Sequence, residues 1–358
     1  MSLYAFEIWS PEGELVADLT GIATSRTIKA GRNEAEEIKF SVDADALKAV
    51  ADGLFTTTAN ILSIGRNEVR VRRGDNYLVG GRIDYAVPTL SREDRDIAIT
   101  ANGFLNMFAD RFVVIPDGEL TKVFTADDAA QILWDIIDES QSQGDNWDFG
   151  VTQGTLQTIG NKDRTYDRTK NIKDAIVQMT EVTTSSMDIE FTHEKVFNAY
   201  TRLGSDLPEV ILRYPGNVLP SSKIPMDAKA IKNHVTVLGS GLGAQATVES
   251  IEQDVPSQIN NKVRQKILQM NSVQEEDTLS DHGEAEIQAG KDPLILPQLS
   301  VDLNGTVSIE DFWVGDSVKV EIDDPAIPAS IVGMHRIERI NLTIDDEDGE
   351  SATLTMRQ

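Results

Sequence analysis

Near its end the chain reads INLTIDDEDGESATLTM over residues 340–356. Apolar side chains occupy every second position on both sides of an acidic segment that contains Asp-Gly. Strict alternation is typical of a strand with one buried face, and Asp-Gly between two such runs is typical of a β-hairpin. The stretch therefore predicts two antiparallel strands that pack one face against a core.

The same alternation recurs in two blocks that flank a helical middle. Short alternating runs separated by turn residues fill residues 1–105 and return from residue 206 onward. Apolar residues at helical spacing predict helices over Ala129–Ile137 and Ile172–Met179. A third helix is predicted from Thr278, as its cap, to Gly290, as its stop. Many short strands with turns between them indicate a sandwich or barrel.

Composition excludes several classes of function. The chain has 358 residues and no cysteine, so disulfides, thiolate catalysis and Cys-ligated metal sites are excluded. Its net charge of −26 argues against specific nucleic-acid binding, because an acidic surface repels phosphates. The charge is explained by solubility, or by a channel wall past which a polyanion slides; composition does not separate the two.

The sequence also lacks signals for export and for membrane insertion. Its first residues alternate and show neither a basic segment nor an apolar one, so we expect no secretory signal. No window approaches the ~20 apolar residues that a transmembrane helix needs.

Two glycine-containing motifs match known binding signatures. Residues 239–244 read GSGLGA and fit the dinucleotide fingerprint literally. That fingerprint requires a following helix and an acidic residue about 20 positions further on, and positions 258–263 carry no acid. We therefore interpret residues 239–244 as a flexible hairpin tip. The tripeptide Arg73-Gly74-Asp75 lies between two predicted strands and is interpreted as a turn.

Candidate metal ligands form no recognisable site. The acidic run at residues 345–350 resembles a calcium loop, but Ile344 would occupy its first ligand position. A solvated hairpin tip is the preferred interpretation, with weak cation binding left open. No two of the histidines are three or four residues apart, so no helical zinc pair exists. The four histidines are His193, His234, His282 and His335.

Catalysis has no clear candidate either. Paired carboxylates could serve a glycosidase, but with 59 acidic residues close pairs arise by chance. We therefore predict no enzyme and assign no catalytic, cofactor-binding or metal-binding residue.

Several segments, taken in order, resemble the phage tail hub family. These are the baseplate-hub or tail-tip structural proteins of long-tailed phages, related to the N-terminal structural part of tail-associated lysins. The first strand block closes with a Gly-aromatic-Leu stretch, an aromatic-basic lead-in precedes a helix and a strand, and a Gly-Asp strand precedes the final hairpin. The segments are IAITANGFL (97–105), YDRTKNIKDAI (166–176) with MDIEF (187–191), VGDSVKV (314–320) and RIERI (336–340).

The resemblance implies an α+β, β-dominated fold. It implies two tube-like β-barrel or sandwich domains with two smaller α/β insert domains. The implied division is residues 1–105 for the first barrel, 106–205 for a helix-containing second domain, 206–255 with 310–358 for the second barrel, and 256–309 for a small insert.

The resemblance also implies a function. A homotrimer would form a ring that closes the tail tube, and its duplicated barrels would meet the hexameric distal tail protein. Tape measure protein and then DNA would pass the channel without specific binding, and tail fibre or receptor-binding proteins would attach. We expect a virion protein of the tail tip, made in the host cytoplasm, with no cofactor and no membrane contact. Because the sequence stops at Gln358, just after the hairpin, we expect the structural core without a lytic part.

Two other functions stay open. Longer members of the family act on cell walls, so a cell-wall-active tail enzyme or a glycan-binding tail protein is the alternative. Within the structural class, a distal-tail adaptor or a spike-type protein remains, although the helical middle favours the hub.

Overall fold

A computed structural model of the chain describes residues 3–89, 95–144, 146–180, 187–239, 249–270, 276–291, 294–295, 297–325 and 331–357. The strands in these ranges are β1 (Tyr4–Trp9), β2 (Leu15–Asp18), β3 (Ala23–Gly31), β4 (Glu37–Asp43), β5 (Glu68–Arg73), β6 (Asn76–Pro88), β7 (Asp96–Gly103), β8 (Thr121–Asp128), β9 (Thr152–Leu156), β10 (Asn161–Asp167), β11 (Asp188–Phe191), β12 (Val196–Tyr200), β13 (Asp206–Tyr214), β14 (Met226–Asp227), β15 (His234–Leu238), β16 (Glu249–Gln253), β17 (Gln265–Gln269), β18 (Leu294–Ile295), β19 (Gln298–Asp302), β20 (Ser317–Ile322), β21 (Ile331–Ile344) and β22 (Glu350–Arg357). The α-helices are α1 (Ala44–Gly53), α2 (Thr58–Ile61), α3 (Ala129–Gln141), α4 (Ile172–Thr180), α5 (Val255–Asn261) and α6 (Glu276–Gly290). Short 3₁₀ helices cover Phe104–Asp110, Ala228–Ala230 and Ile309–Asp311.

One large sheet organises the fold. Twelve strands of the described residues join it, in the order β13-β20-β21-β3-β4-β7-β6-β5-β1-β2, with β22 beside β21 and β19 beside β22. We call β1–β7 with α1 and α2 the N-terminal lobe, and β13 with β19–β22 the C-terminal lobe. The inward-facing side chains of both lobes form one continuous apolar cluster, which includes Phe40 on β4 and Leu342 on β21.

The segment after β13 links the two ends of the C-terminal lobe. After β13 the chain turns and runs beside β19, where Leu219 N–H donates to Ser300 O at 2.7 Å and Lys223 N–H donates to Gln298 O at 2.8 Å. The side chain of Asn217 accepts a hydrogen bond from Arg213 N and donates one to Ile211 O, so it covers part of the β13 edge. The segment that follows β13 therefore pairs with β19 at the other end of this strand order.

The two lobes are joined through β3 and β21. β21 is 14 residues long, and its second half lies between β22 on one side and β3 on the other. Ile340 pairs with Ala30 and Ile344 with Arg26 in an antiparallel register. The predicted hairpin of residues 340–356 is confirmed as β21 and β22, and it forms the seam of the large sheet.

The middle lobe consists of β8–β12 with α3 and α4. The predicted helices over 129–137 and 172–179 are confirmed as α3 and α4. α3 begins after Asp128, whose carboxylate accepts the N–H of Ala130. Apolar side chains of both helices and of the short strands form a second cluster, centred on residues such as Ile136 and Phe197.

A small lobe, which consists of β15–β17 with α6, differs from the sequence-based expectation. β15 pairs with β16 and with β17 in a separate three-stranded sheet of the described residues, and α6 packs on that sheet through Leu279 and Ile287. Strands between residues 234 and 253 were expected in the second barrel, but they pair here because their apolar face, Val235 and Val237, is buried under α6. α6 begins at Glu276, two residues before the predicted start, and the side chain of Thr278 lies outside the described part.

The β-dominated α+β class predicted from the sequence is confirmed. The division into four domains stays a prediction. Among the described residues, none of the helices has the length and apolarity that crossing a bilayer requires.

Candidate functional site: three charged junctions

Asp188 on β11 connects the middle lobe to the N-terminal lobe and to the C-terminal lobe. Its carboxylate accepts a hydrogen bond from Arg32, just after β3, at 2.7 Å and another from Arg336 on β21. The backbone N–H of Leu203 donates to the same carboxylate at 2.8 Å. Asp188 is only 1 % exposed, so a single buried charge is shared by residues from three parts of the chain.

The electrostatics of this junction favour the charged carboxylate. Burial by itself would raise the pKa of Asp188, but the Leu203 N–H and the guanidinium groups of Arg336 and Arg32 hold that pKa below its ordinary value. Next to it, Asn33 accepts the N–H of Ile189 at 2.8 Å. Asn33 has a left-handed backbone, with φ of 60°, and so points its side chain from the N-terminal lobe at the middle lobe.

A buried ion pair forms the second junction. Lys195, between β11 and β12, donates to Glu68 on β5 at 2.7 Å and to the carbonyl of Pro11 at 2.8 Å. The side chains of Lys195 and Glu68 are 5 % and 1 % exposed. Burial raises the pKa of Glu68, while Lys195 and the more distant Arg70 act to lower it. The pair therefore holds the middle lobe against the N-terminal lobe.

His193 lies in the turn between β11 and β12, close to Lys195, and it also contacts the N-terminal lobe. Its imidazole stacks on Tyr77, with ring centroids 4.2 Å apart and an interplanar angle of 11°. Beside this stack, a Cβ at Gly80 would lie 2.8 Å from the Cα of His193 and 3.0 Å from the Phe104 ring. Only a residue without a side chain allows the two backbones to come this close.

Gly80→Ala is therefore expected to lower the free energy of unfolding by about 1–3 kcal/mol, because the methyl group forces the His193 turn away from β6. Chemical denaturation of both proteins measures the difference. Gly21→Ala is the matched control, since a Cβ at Gly21 meets no atom within 4 Å. Equal stability of the two variants would show that the contact at Gly80 is looser than described.

The acidic hairpin tip forms the third junction. Arg26 on β3 contacts Asp348 at 2.8 Å and also donates to the carbonyl of Asp345. Arg73 on β5 contacts Glu350 at 2.6 Å. Arg26 is 3 % exposed and Glu350 is 2 % exposed, so these contacts are buried. The tip of the C-terminal hairpin is thus fastened to two strands of the N-terminal lobe.

The preferred interpretation of residues 345–350 as a solvated tip is therefore wrong for Asp348 and Glu350. Their carboxylates bind guanidinium groups, which take the place that a cation would need. The carboxylate of Asp345 instead accepts the N–H groups of Glu347 and Gly349, which shapes the turn. In the part of the chain that the structure describes, no group of three or more acidic or histidine side chains could hold a metal ion.

Among the described residues, the Arg-Gly-Asp motif and the histidines lie in turns, in strands and in α6. Gly239 ends the described stretch that contains β15, and the rest of the 239–244 motif lies outside the described residues. Gly74 and Asp75 form the predicted turn between β5 and β6, with Arg73 as the last residue of β5 and Gly74 at a φ of 54°. The histidines lie on separate elements: the 193 turn, β15, α6 and β21.

A cleft of about 650 Å³ lies between strands β3 and β21 and helix α4. Its acids are already paired: Glu34 with Arg339, and Glu37 with Lys29 and Lys39. The cleft therefore presents no free pair of carboxylates for hydrolysis from these two residues.

The junction residues were not identified from the sequence. Alternation in residues 187–191 places Asp188 opposite the apolar face, where a surface carboxylate is the ordinary expectation. Lys195 follows Glu194 in a turn and carries no motif. The left-handed backbone of Asn33, Lys195 and Asp348 marks all three junctions, but it is visible only in the structure.

Comparison with solved structures identifies the fold. No protein-family model matches the sequence, and no curated protein matches it. Solved structures of tail proteins, two of them from prophages, however, share this fold over nearly their whole length. The chain therefore has the fold of phage tail proteins, which confirms the resemblance drawn from the sequence.

Three of these structures are individually similar. The 43 kDa tail protein of prophage MuSo2 from Shewanella oneidensis is 14 % identical, with a TM-score of 0.70 and coverage of 99 % of this chain and 98 % of that one. A tail protein from Neisseria meningitidis MC58 is 10 % identical, with a TM-score of 0.64 and coverage of 99 % and 96 %. Prophage tail protein gp18 from Listeria monocytogenes EGD-e is 13 % identical, with a TM-score of 0.63 and coverage of 98 % and 94 %.

Proposed function

We propose that this chain is a structural protein of a phage tail, located at the baseplate or tail tip, where three copies form a ring. The observation that carries the proposal is the fold shared with tail proteins over 99 % of this chain and 98 % of the MuSo2 protein. A match of whole chains, and not of one lobe, favours a comparable architectural role.

The large sheet supports the ring. Each copy contributes an N-terminal lobe and a C-terminal lobe that are joined edge to edge through β3 and β21. Three copies would therefore contribute six similar units around an axis. Such a ring suits a hexameric distal tail protein above it, with tail fibre or receptor-binding proteins attached at the side.

The three junctions support a rigid wall. Asp188, the Lys195–Glu68 pair and the hairpin tip each bury a charge between lobes, so the lobes of one copy hold a defined geometry. A channel through such a ring would pass the tape measure protein and then DNA. Because the chain carries a net charge of −26, it would repel phosphate groups, and DNA would pass without binding.

A non-enzymatic role fits the chemistry of three buried acids. Asp188, Glu68 and Glu350 are each held by arginine or lysine, which suits cohesion and leaves their charges committed. A zymogram on host cell wall tests the alternative of a cell-wall-active enzyme. Lysis that is lost on substitution of one carboxylate pair would replace the structural proposal. We place the protein in the virion, after synthesis in the host cytoplasm.

The mass of the assembled protein tests the ring. Light scattering during size exclusion is expected to give three times 39.3 kDa, and imaging of tail tips is expected to show threefold density that fits this fold. Because an isolated trimer can dissociate on dilution, imaging of the assembled tail is the decisive measurement. Tails that lack the chain altogether would contradict the proposal.

A further inference from the structure

A pocket of about 280 Å³ lies in the middle lobe between β10 and α4. Arg164 on β10 and Lys170, in the turn before α4, line it, and both residues are partly buried. Ala175 and Met179 on α4 line the same pocket and are 1 % and 2 % exposed. The pocket therefore combines two positive charges with apolar surface.

The two cations of this pocket are hydrogen-bonded only to neutral oxygen atoms. Arg164 donates to the backbone carbonyl of Asp163 at 3.0 Å, and Lys170 donates to the side-chain amide oxygen of Gln178. Neither cation forms an ion pair with a carboxylate in the part of the chain that the structure describes. Their positive charges are therefore not neutralised by a direct contact with an acid of the same chain.

The acidic residues next to the pocket serve the backbone instead. The carboxylate of Asp163 accepts the N–H of Ala126 at 2.7 Å. The carboxylate of Asp167 accepts the N–H and the hydroxyl group of Thr169 at 2.8 and 2.6 Å. These hydrogen bonds shape turns, so the two nearest acids along the chain are not directed at the cations.

The charge of Arg164 also acts on a neighbouring cation. Burial lowers the pKa of Lys162, and the positive charge of Arg164 lowers that pKa further. Arg32 and Lys195 at the junctions behave differently, because each of them binds a carboxylate directly. Two partly buried cations without such a contact, in a chain with 59 acidic and 33 basic residues, indicate that their anion comes from outside the chain.

We propose that this pocket binds a glutamate side chain that is presented by an acidic segment of a partner protein. A carboxylate between Arg164 and Lys170 would receive charge-assisted hydrogen bonds from both. The methylene groups of the glutamate would pack on Ala175 and Met179, which a phosphate group cannot do. The inference goes beyond the proposed function and does not require the ring.

The net charge of the chain favours a short acidic segment as the occupant. At −26, the chain repels a long polyanion such as a nucleic acid along its whole surface, and it repels a second copy of itself for the same reason. A single glutamate inside the pocket lies close to two cations, where their attraction exceeds the repulsion from distant acids.

Hexaglutamate peptide labelled with fluorescein tests the pocket, with hexaglutamine as the neutral control. We expect fluorescence anisotropy to show that the full chain binds only the acidic peptide, at an ionic strength of about 0.15 M, where charges more than about 8 Å away are screened. The dissociation constant is expected to rise at least about tenfold in the double variant Arg164→Gln, Lys170→Gln. Equal binding of the two peptides would overturn the inference.

The double variant Arg95→Gln, Lys48→Gln is the matched control. It removes the same net charge from exposed positions at α1, where both cations pair with exposed acids. We expect its affinity for hexaglutamate to equal that of the original protein within about twofold. If both double variants weaken binding equally, net charge and not the pocket controls the affinity, and the inference fails.

Gln178→Glu separates binding from stability. The substitution keeps the size of an exposed side chain that already contacts Lys170, and it supplies a carboxylate from within the chain. We expect the dissociation constant for hexaglutamate to rise at least about threefold, while the melting temperature stays close to that of the original protein. Unchanged affinity contradicts the inference, even if the variant that lacks both cations fails to fold.

Competition identifies the class of ligand. Inorganic phosphate and oligothymidylate are expected to displace hexaglutamate only at concentrations well above that of unlabelled hexaglutamate. Stronger displacement by oligothymidylate would assign the pocket to nucleic acid, and self-association of the chain that is lost in Arg164→Gln, Lys170→Gln would assign it to a second copy. Either result overturns the partner proposed, and neither affects the structural role in the tail.

Discussion

Asp188→Ala is expected to lower the free energy of unfolding by about 3–5 kcal/mol, because it leaves two partly buried guanidinium groups without the carboxylate that they share, although Arg32 keeps Glu338 as a second partner. Arg32 and Arg336 are 20 % and 22 % exposed, so water restores only part of what the carboxylate supplies. The substitution also removes the contacts that hold β11 against β21 and against the segment after β3. Guanidinium denaturation, followed by a probe in each lobe, measures the effect.

Asp52→Ala provides the matched control. Asp52 pairs with Lys48 on α1, and both side chains are about two-thirds exposed at 64 % and 65 %. A surface pair at this spacing contributes at most about 0.5 kcal/mol. A cost for Asp188→Ala no larger than that for Asp52→Ala would contradict the assigned role of the junction.

Lowering the pH is expected to remove the contribution of Asp188 to the free energy of unfolding. Its pKa in the folded chain lies below the ordinary value, so the folded state holds the carboxylate charged more strongly than the unfolded state does. The contribution is complete above the unfolded pKa of about 4 and is lost as the pH falls through the folded pKa. The difference between the original protein and Asp188→Ala should therefore shrink below about pH 4 and stay constant near neutrality.

Lys195→Met is expected to have a comparable effect. The substitution keeps most of the side-chain volume but leaves the Glu68 carboxylate, 1 % exposed, with only Arg70 at 3.5 Å as a cationic partner. Breaking a buried pair from one side costs about 3–5 kcal/mol, and the partial partner places this variant at the lower end of that range. Denaturation midpoints at pH 8 provide the measurement.

The double variant Lys195→Met, Glu68→Gln distinguishes an unpaired charge from lost packing. A neutral amide at position 68 can still accept a hydrogen bond from Arg70, so we expect the double variant to recover at least half of the lost stability. Burial already raises the pKa of Glu68, and removal of Lys195 raises it further. The deficit of Lys195→Met should accordingly shrink as the pH falls from 8 to 5, because a raised pKa stabilises the fold at low pH. A deficit that is neither rescued nor sensitive to pH would indicate packing alone.

Local periodicity predicted most elements correctly. The hairpin of residues 340–356 and helices α3 and α4 were predictable because alternation at two residues, or spacing at three and four, records which face of a segment is buried. The same pattern predicted strands for residues 234–238, and they form β15. The resemblance grouped them with the second barrel, whereas they pair in a separate three-stranded sheet, because an apolar face is equally satisfied by a barrel and by a helix.

The sequence by itself determined the alternating strands, the helical middle, the turns and the acidic surface, since each depends on neighbours a few residues away. Only the tertiary structure decided how these parts join. Arg32 meets Asp188 across 156 residues of chain, and Arg26 meets Asp348 across 322. Such pairs form when β3 pairs with β21. The register of that pairing depends on the burial of apolar side chains from both lobes. The sequence around a charged residue therefore does not predict which distant residue neutralises it.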